Sequence, residues 1–163
     1  MSASTINPAT SSPARPVGLI DPRGPQFNAI LTSIILAAIL VLAPNPIGLA
    51  LLGLQAALFA LGVILGVQRT PAAFLFAKVI RPRLSAPSEL EDARPPRFAQ
   101  GVGLVFALVG LAGYLGGAAL LGAIAIGFAL AAALLNAIFN YCLGCEVYLL
   151  LRRAGLPLPL QTN

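Results

Sequence analysis

The stretch Phe27-Asn-Ala-Ile-Leu-Thr-Ser-Ile-Ile-Leu-Ala-Ala-Ile-Leu-Val-Leu-Ala43, then Pro44-Asn45-Pro46, then the apolar run Ile47 to Val67 decides the fold. Each run approaches the roughly 20 residues needed to cross the hydrocarbon core of a bilayer. The corner between them holds two prolines, which remove backbone donors and break a helix. Two spans joined by so short a corner run antiparallel, as a transmembrane hairpin. A second pair follows downstream, Phe98 to about Leu115 and about Ala118 to Tyr141, separated by Gly116-Gly117. The sequence therefore predicts an all-α integral membrane protein with four transmembrane helices in two tandem hairpins.

Composition agrees. Of 163 residues, 58% are hydrophobic and 9% charged, against about 25% charged in soluble domains. The absence of His excludes a hydrolase with an imidazole base and removes the commonest metal ligand. The formal net charge of +5 does not point to nucleic acid, because the cations flank hydrophobic runs instead of lining a soluble face. Arg15, Arg23, Arg69, Lys78, Arg81, Arg83, Arg94, Arg97, Arg152 and Arg153 all fall on the side that carries both termini and the central loop. Positively charged flanks stay cytoplasmic. We thus expect a multi-pass protein of the cytoplasmic (inner) membrane with both termini inside. Residues 1–25, rich in Ser, Thr and Pro, are expected to form a disordered cytoplasmic tail, 26–153 the membrane domain, and 154–163 a short carboxyl tail.

The two hairpins open on one pattern, Asp-x-Arg-x-Pro-x-Phe: Asp21-Pro-Arg23-Gly-Pro25-Gln-Phe27 and Asp92-Ala-Arg94-Pro-Pro96-Arg-Phe98. The pattern divides the domain into repeats 26–80 and 97–153 around a cytoplasmic loop 81–96, with an axis along the membrane normal. Asp and Arg would cap each helix start and Phe would anchor the interface. After the second span, Pro71 to Ile80 is apolar but too short to cross, so it is expected to lie at the interface. Glu146 to Arg153 is its counterpart after the fourth span.

The strongest chemical signal is Cys142-Leu-Gly-Cys145, followed by Glu146. These are the only two cysteines, and random placement would set two cysteines three apart about 1% of the time. On a helix both sulfurs would share one face, and a helix terminus or Arg152 could lower one thiol pKa. Glu146 opposes a neighbouring thiolate unless it serves as proton acceptor. A structural disulfide does not suit the reducing cytosol, which leaves a cycling dithiol, a sulfur carrier, a metal half-site completed by a partner, or inert packing.

Polar residues inside the spans form a second group: Asn28, Thr32, Ser33, Gln55, Asn136 and Asn140. Asn136 and Asn140 are expected on one helix face, lining a small polar pocket beside the thiols or hydrogen-bonding between helices. Gly62-x-x-x-Gly66 and the stripe Ala125, Ala129, Ala133, Ala137 suit close helix packing, within the bundle or in a homodimer. No motif for haem, flavin or nucleotide is present, so no cofactor is expected.

At Asp21 to Phe27, Arg81-Pro-Arg83, Pro96-Arg-Phe-Ala-Gln100 and Asn140-Tyr-Cys-Leu-Gly-Cys-Glu146, the chain resembles a bacterial membrane-protein family, domain of unknown function 4395. The resemblance spans about residues 17 to 153, and Cys-x-Gly-Cys-Glu is its most telling part. It singles out Cys142, Cys145 and Glu146 without assigning them a reaction. Members look like proteins encoded near thioredoxin-like and thiosulfate sulfurtransferase proteins, which implies sulfur or thiol metabolism. On this reading Cys142 and Cys145 exchange electrons or sulfane sulfur with such a soluble partner, and Glu146 or Asn140 handles the proton. The competing readings are a small carrier or channel for a sulfur compound and a structural subunit of a membrane complex.

Overall fold

The computed structural model describes residues 18–156 apart from Ser88. Residues 1–17 and 157–163, and with them Arg15 and most of the expected tails, lie outside the described residues. Four long helices, α1 (Arg23–Leu42), α2 (Pro46–Leu65), α4 (Arg94–Leu115) and α5 (Ala119–Phe139), dominate the chain. Each has 20 to 22 residues, which at 1.5 Å per residue covers about the 30 Å of a hydrocarbon core. The shorter helices α3 (Pro71–Leu75) and α6 (Leu143–Arg153) follow α2 and α5. A π-helical turn, Phe76–Ile80, and a 3₁₀ turn, Arg81–Arg83, extend α3.

Neighbouring spans meet in the cyclic order α1, α2, α4, α5, and the diagonal pairs approach far less closely. Leu36, Ile39, Leu52, Ala107 and Ile126, all fully buried, fill the half of the bundle toward the hairpin tips. Hydrocarbon offers no hydrophobic reward for helix association, so the fit between backbones matters most. At the α4–α5 contact a Cβ on Gly113 would stand 2.6 Å from the backbone nitrogen of Gly122. The outer surface exposes Ile34, Val41, Ile64, Leu120, Phe128 and Phe139. An apolar collar of that kind suits lipid and would aggregate in water.

Several boundaries differ from the sequence reading. Residues 18–25, assigned to the tail, contain strand β1 (Leu19–Ile20) and the first residues of α1. The central loop contains β2 (Glu91–Asp92) and the start of α4. Both long helices start ahead of their apolar runs because Asp21 Oδ1 accepts the Arg23 N–H (3.0 Å) and Asp92 Oδ1 accepts the Arg94 N–H (2.9 Å), satisfying orphan donors. The fourth span stops at Phe139, ahead of Tyr141.

The hairpins reproduce each other's contacts. β1 and β2 pair antiparallel, Leu19 with Asp92 and Ile20 with Glu91, and Ile20 and Glu91 are the residues just before the two equivalent aspartates. The ladder therefore pairs the two repeats through matching positions, as a two-fold axis requires. Gln26 Nε2 donates to the Ala137 carbonyl at the end of α5 (3.1 Å), and its counterpart Arg97 donates from Nε to the Val63 carbonyl at the end of α2 (2.6 Å). Phe27 packs on Phe76 with ring centroids 5.9 Å apart, and Phe98 packs on Tyr148 at 5.6 Å. These aromatics dock α3 and α6 onto α1 and α4, a role beyond the interfacial anchoring expected of Phe.

Candidate thiol site and cavity

The chain breaks between α5 and α6 at Asn140, which adopts the left-handed conformation (φ 53°). The Asn140 N–H donates to the Asn136 carbonyl (3.0 Å) and the Tyr141 N–H to the Leu135 carbonyl (3.3 Å), closing α5. Asn tolerates this backbone better than most residues. Consequently Cys142 is not on a helix face, as the spacing suggested, but caps α6. Its Sγ accepts the Cys145 N–H (3.3 Å), and a negative sulfur there would gain from the helix dipole and the free N–H groups.

Cys142 and Cys145 are joined by a disulfide, with Cα atoms 5.2 Å apart. The sequence reading disfavoured a structural disulfide; the sulfurs are nonetheless bonded, which is the oxidised member of a dithiol cycle. Both residues are half-buried, and Glu146 and Asn140 are exposed. The Glu146 N–H donates to the Cys142 carbonyl (3.1 Å) within the first turn of α6. Among the described residues no group of three or more Cys, Asp or Glu is placed to hold a metal ion.

Gly144 sets the position of this turn. A Cβ there would lie 2.6 Å from Ala99 Cβ and 2.7 Å from Ala99 Cα, so only glycine lets α6 rest against α4 at this point. Cys142 is thereby held against a cavity of about 440 Å³ in the half of the bundle next to α3 and α6. Phe59, Phe106 and Ala129 line it deepest, while Gly18 and Gln68 are exposed at its rim. Its lining includes Asn28, Thr32, Gln100 and Asn136. Cavities of about 300–1,000 Å³ are the usual size for small-molecule sites.

The cavity sits on the pseudo-two-fold. Pro25 and Pro96 both line it, as do Thr32 and Gly103, and Thr70 and Cys142. The last pair is the most informative. Thr70 Oγ1 caps α3 by accepting the Ala73 N–H (3.2 Å), as Cys142 Sγ caps α6 by accepting from Cys145. The repeats thus carry a hydroxyl cap in one copy and a thiol cap in the other. A smaller cavity of about 180 Å³ shares Asn28, Thr32, Thr70 and Gln100 with the first, and is also lined by Gln55. Gln55 is 2% exposed, and its Oε1 has no hydrogen-bond partner.

Of the polar residues picked from sequence, Asn28, Thr32 and Asn136 line the main cavity. Asn140 does not share their face, because the helix ends there. Ser33 is buried and bonds its own helix, donating to the Ala29 carbonyl (2.8 Å). Gln100 and Thr70 were missed, although an amide early in the third span was the available signal for the first. Of the small residues, Gly62 faces the Gln100 side chain, whereas Gly66 ends α2 with φ 87° and packs against nothing.

A family model matches residues 20–153, nearly the whole described chain. The chain belongs to the family Domain of unknown function (DUF4395). No curated protein and no solved structure matches it. The DUF4395 match runs from Ile20 in β1 to Arg153 at the end of α6, so the ladder, both hairpins and the cysteine turn all belong to the family domain.

Proposed function

We propose that this DUF4395 protein is a membrane-embedded thiol protein that exchanges electrons, or a sulfane sulfur, through Cys142 and Cys145 with a soluble thioredoxin-like or sulfurtransferase partner on the cytoplasmic side. The observation that carries the reading is the Cys-x-x-Cys disulfide at the amino end of α6, with Cys142 Sγ on the Cys145 N–H. A partner thiolate attacks the Cys145 sulfur and Cys142 leaves as a thiolate, stabilised by the N–H it already holds. The partner's second thiol then displaces Cys145, so the partner ends oxidised and this protein reduced. Two electrons and two protons enter the pair, and exposed Glu146 is the acid or base beside it.

Thiol trapping in intact cells and inverted vesicles tests both topology and chemistry. Cys142 and Cys145 should react with a mass-shifting maleimide from the cytoplasmic face only, and a fraction should become reactive only after chemical reduction. If the thiols stay reduced in cells and a Cys142→Ser, Cys145→Ser chain leaves cellular thiol status unchanged, the reading fails. The axial cavity supports a second reading, a carrier for a sulfur compound, and vesicle uptake distinguishes it because a purely redox protein moves nothing.

A further inference from the structure

A dithiol reduced by a soluble partner has to pass its electrons on, and the cavity beside Cys142 shows what can accept them. Resting on the redox reading above, we infer that this cavity binds a lipid-soluble quinone, which reoxidises Cys142 and Cys145.

Several observations converge on that chemistry. The cavity lies among four spans and is walled mainly by apolar side chains, with Phe59 and Phe106 deepest. Its polar groups within the spans, Asn28, Thr32, Gln100 and Asn136, are all neutral. Neutral amides and hydroxyls can pair with carbonyl and hydroxyl oxygens but do not offset a buried charge. Asp21 and Arg81 line the cavity only near the polar end of the bundle. An uncharged ring bearing two oxygens fits this pattern, and a sulfur oxyanion does not. Gln55 adds an independent sign: its buried, unpartnered Oε1, in the adjoining cavity, is an acceptor in want of a donor, which the hydroxyl of a reduced ring supplies. Cys142 lines the main cavity and Cys145 does not, which divides the labour between the sulfurs.

The step balances without any further reactant. The Cys142 thiolate forms a bond to a ring carbon of the quinone. The Cys145 sulfur then attacks Cys142, making the disulfide and breaking the sulfur–carbon bond, whose electron pair stays on the ring. Two protons from the two thiols complete the hydroquinone, so the pair loses two electrons and the quinone gains them.

The test uses the full chain in lipid nanodiscs, reduced and freed of reductant, with decylubiquinone as probe. Disulfide formation is followed by maleimide shift and quinone consumption by absorbance. We expect one quinone reduced per protein, at a rate that saturates with quinone and exceeds that of an equal concentration of dithiothreitol by at least about tenfold. Ala133→Phe, which fills the cavity from α5, should raise the half-saturating quinone concentration at least about tenfold. Gln100→Leu is the alternative should Ala133→Phe misfold, as judged by gel filtration. A rate that does not saturate, or one that a folded cavity variant leaves unchanged, overturns the inference. So does protection of Cys142 from maleimide by thiosulfate and not by quinone. Exchange of the wild-type chain with a reduced thioredoxin, measured in parallel, separates the two proposals: exchange without quinone reduction sinks this inference alone, and loss of both sinks the redox reading too.

Discussion

Gly144→Ala is the sharpest probe of how the cysteine turn is held. The added methyl would stand 2.6 Å from Ala99 Cβ and 2.7 Å from Ala99 Cα, and neither atom belongs to a side chain that can swing away. Overpacking of this kind costs about 1–3 kcal/mol, and contact with a backbone atom places it in the upper part of that range. Alanine returns up to about 1 kcal/mol through its better helix propensity, leaving a net loss of about 1–2 kcal/mol. The internal reference is Gly127→Ala: Gly127 lies within α5 with nothing within 4 Å of its Cβ position. That change should be neutral or stabilising by up to about 1 kcal/mol. Equilibrium unfolding in detergent micelles compares the two variants, and maleimide labelling of the reduced chain reports whether Cys142 has become more accessible. Ala99→Gly in the Gly144→Ala background removes the opposing methyl and should recover most of the loss, a coupling that two independent sites would not show. Were Gly144→Ala as harmless as Gly127→Ala, the contact with Ala99 would not be what positions the thiols, and the account of the Cys-x-Gly-Cys spacing would be wrong.

Other consequences of the geometry are equally accessible. Arg97→Ala leaves the Val63 and Ile64 carbonyls without their cationic donor and should cost about 1.5–3 kcal/mol, while Gln26→Ala, which removes a neutral bond to Ala137, should cost about 1 kcal/mol; unfolding in micelles ranks the two. Cys142→Ser keeps a cap acceptor as Thr70 does, so it should fold like wild type when both are reduced, whereas Cys142→Ala should lose about 1 kcal/mol with the cap. The Arg94 guanidinium bonded to Asp92, helped by Arg152, holds the Asp92 carboxyl below its usual 3.8. A lowered folded pKa means that the ion pair's contribution is fully present above the unfolded value and is lost as pH falls below it through the folded value. The effect is small because the pair is exposed, and Asp92→Asn, which keeps a cap acceptor, should remove that acid-limb slope in unfolding measurements while leaving neutral pH nearly unaffected.

The four spans were legible because length and hydropathy suffice to define them, and Pro44-Asn45-Pro46 leaves no other corner. Basic residues likewise marked one end of the bundle. The turn at Asn140 was not legible: Asn136-Ala-Ile-Phe-Asn140-Tyr-Cys142 contains neither glycine nor proline, and apolar periodicity continues through it. That omission placed the cysteines on a helix face, when they start a new helix. The Asp-x-Arg-x-Pro-x-Phe echo was visible, but its continuation was not. Thr70 and Cys142 align only once their capping bonds are seen, since the two side chains share little besides an acceptor atom. Strands as short as Leu19–Ile20 and Glu91–Asp92 carry no periodicity, so the ladder between them exists only as a tertiary fact. The cavity has the same origin, being what four spans and two short helices leave unfilled.

The pairing of Thr70 with Cys142 across the axis also bears on how such a protein can change. Two identical hairpins associating in the membrane would give every occupant of the central space two indistinguishable walls, and any thiol would come in duplicate. Written twice in one chain, the hairpins are released from that constraint. One wall can keep an inert hydroxyl while the other acquires a reactive sulfur, so an asymmetric guest meets an asymmetric host and has a single way to bind. Transplanting the turn, with Thr70→Cys and Ala73→Cys set beside Cys142→Thr and Cys145→Ala, would turn the host around without altering its shape.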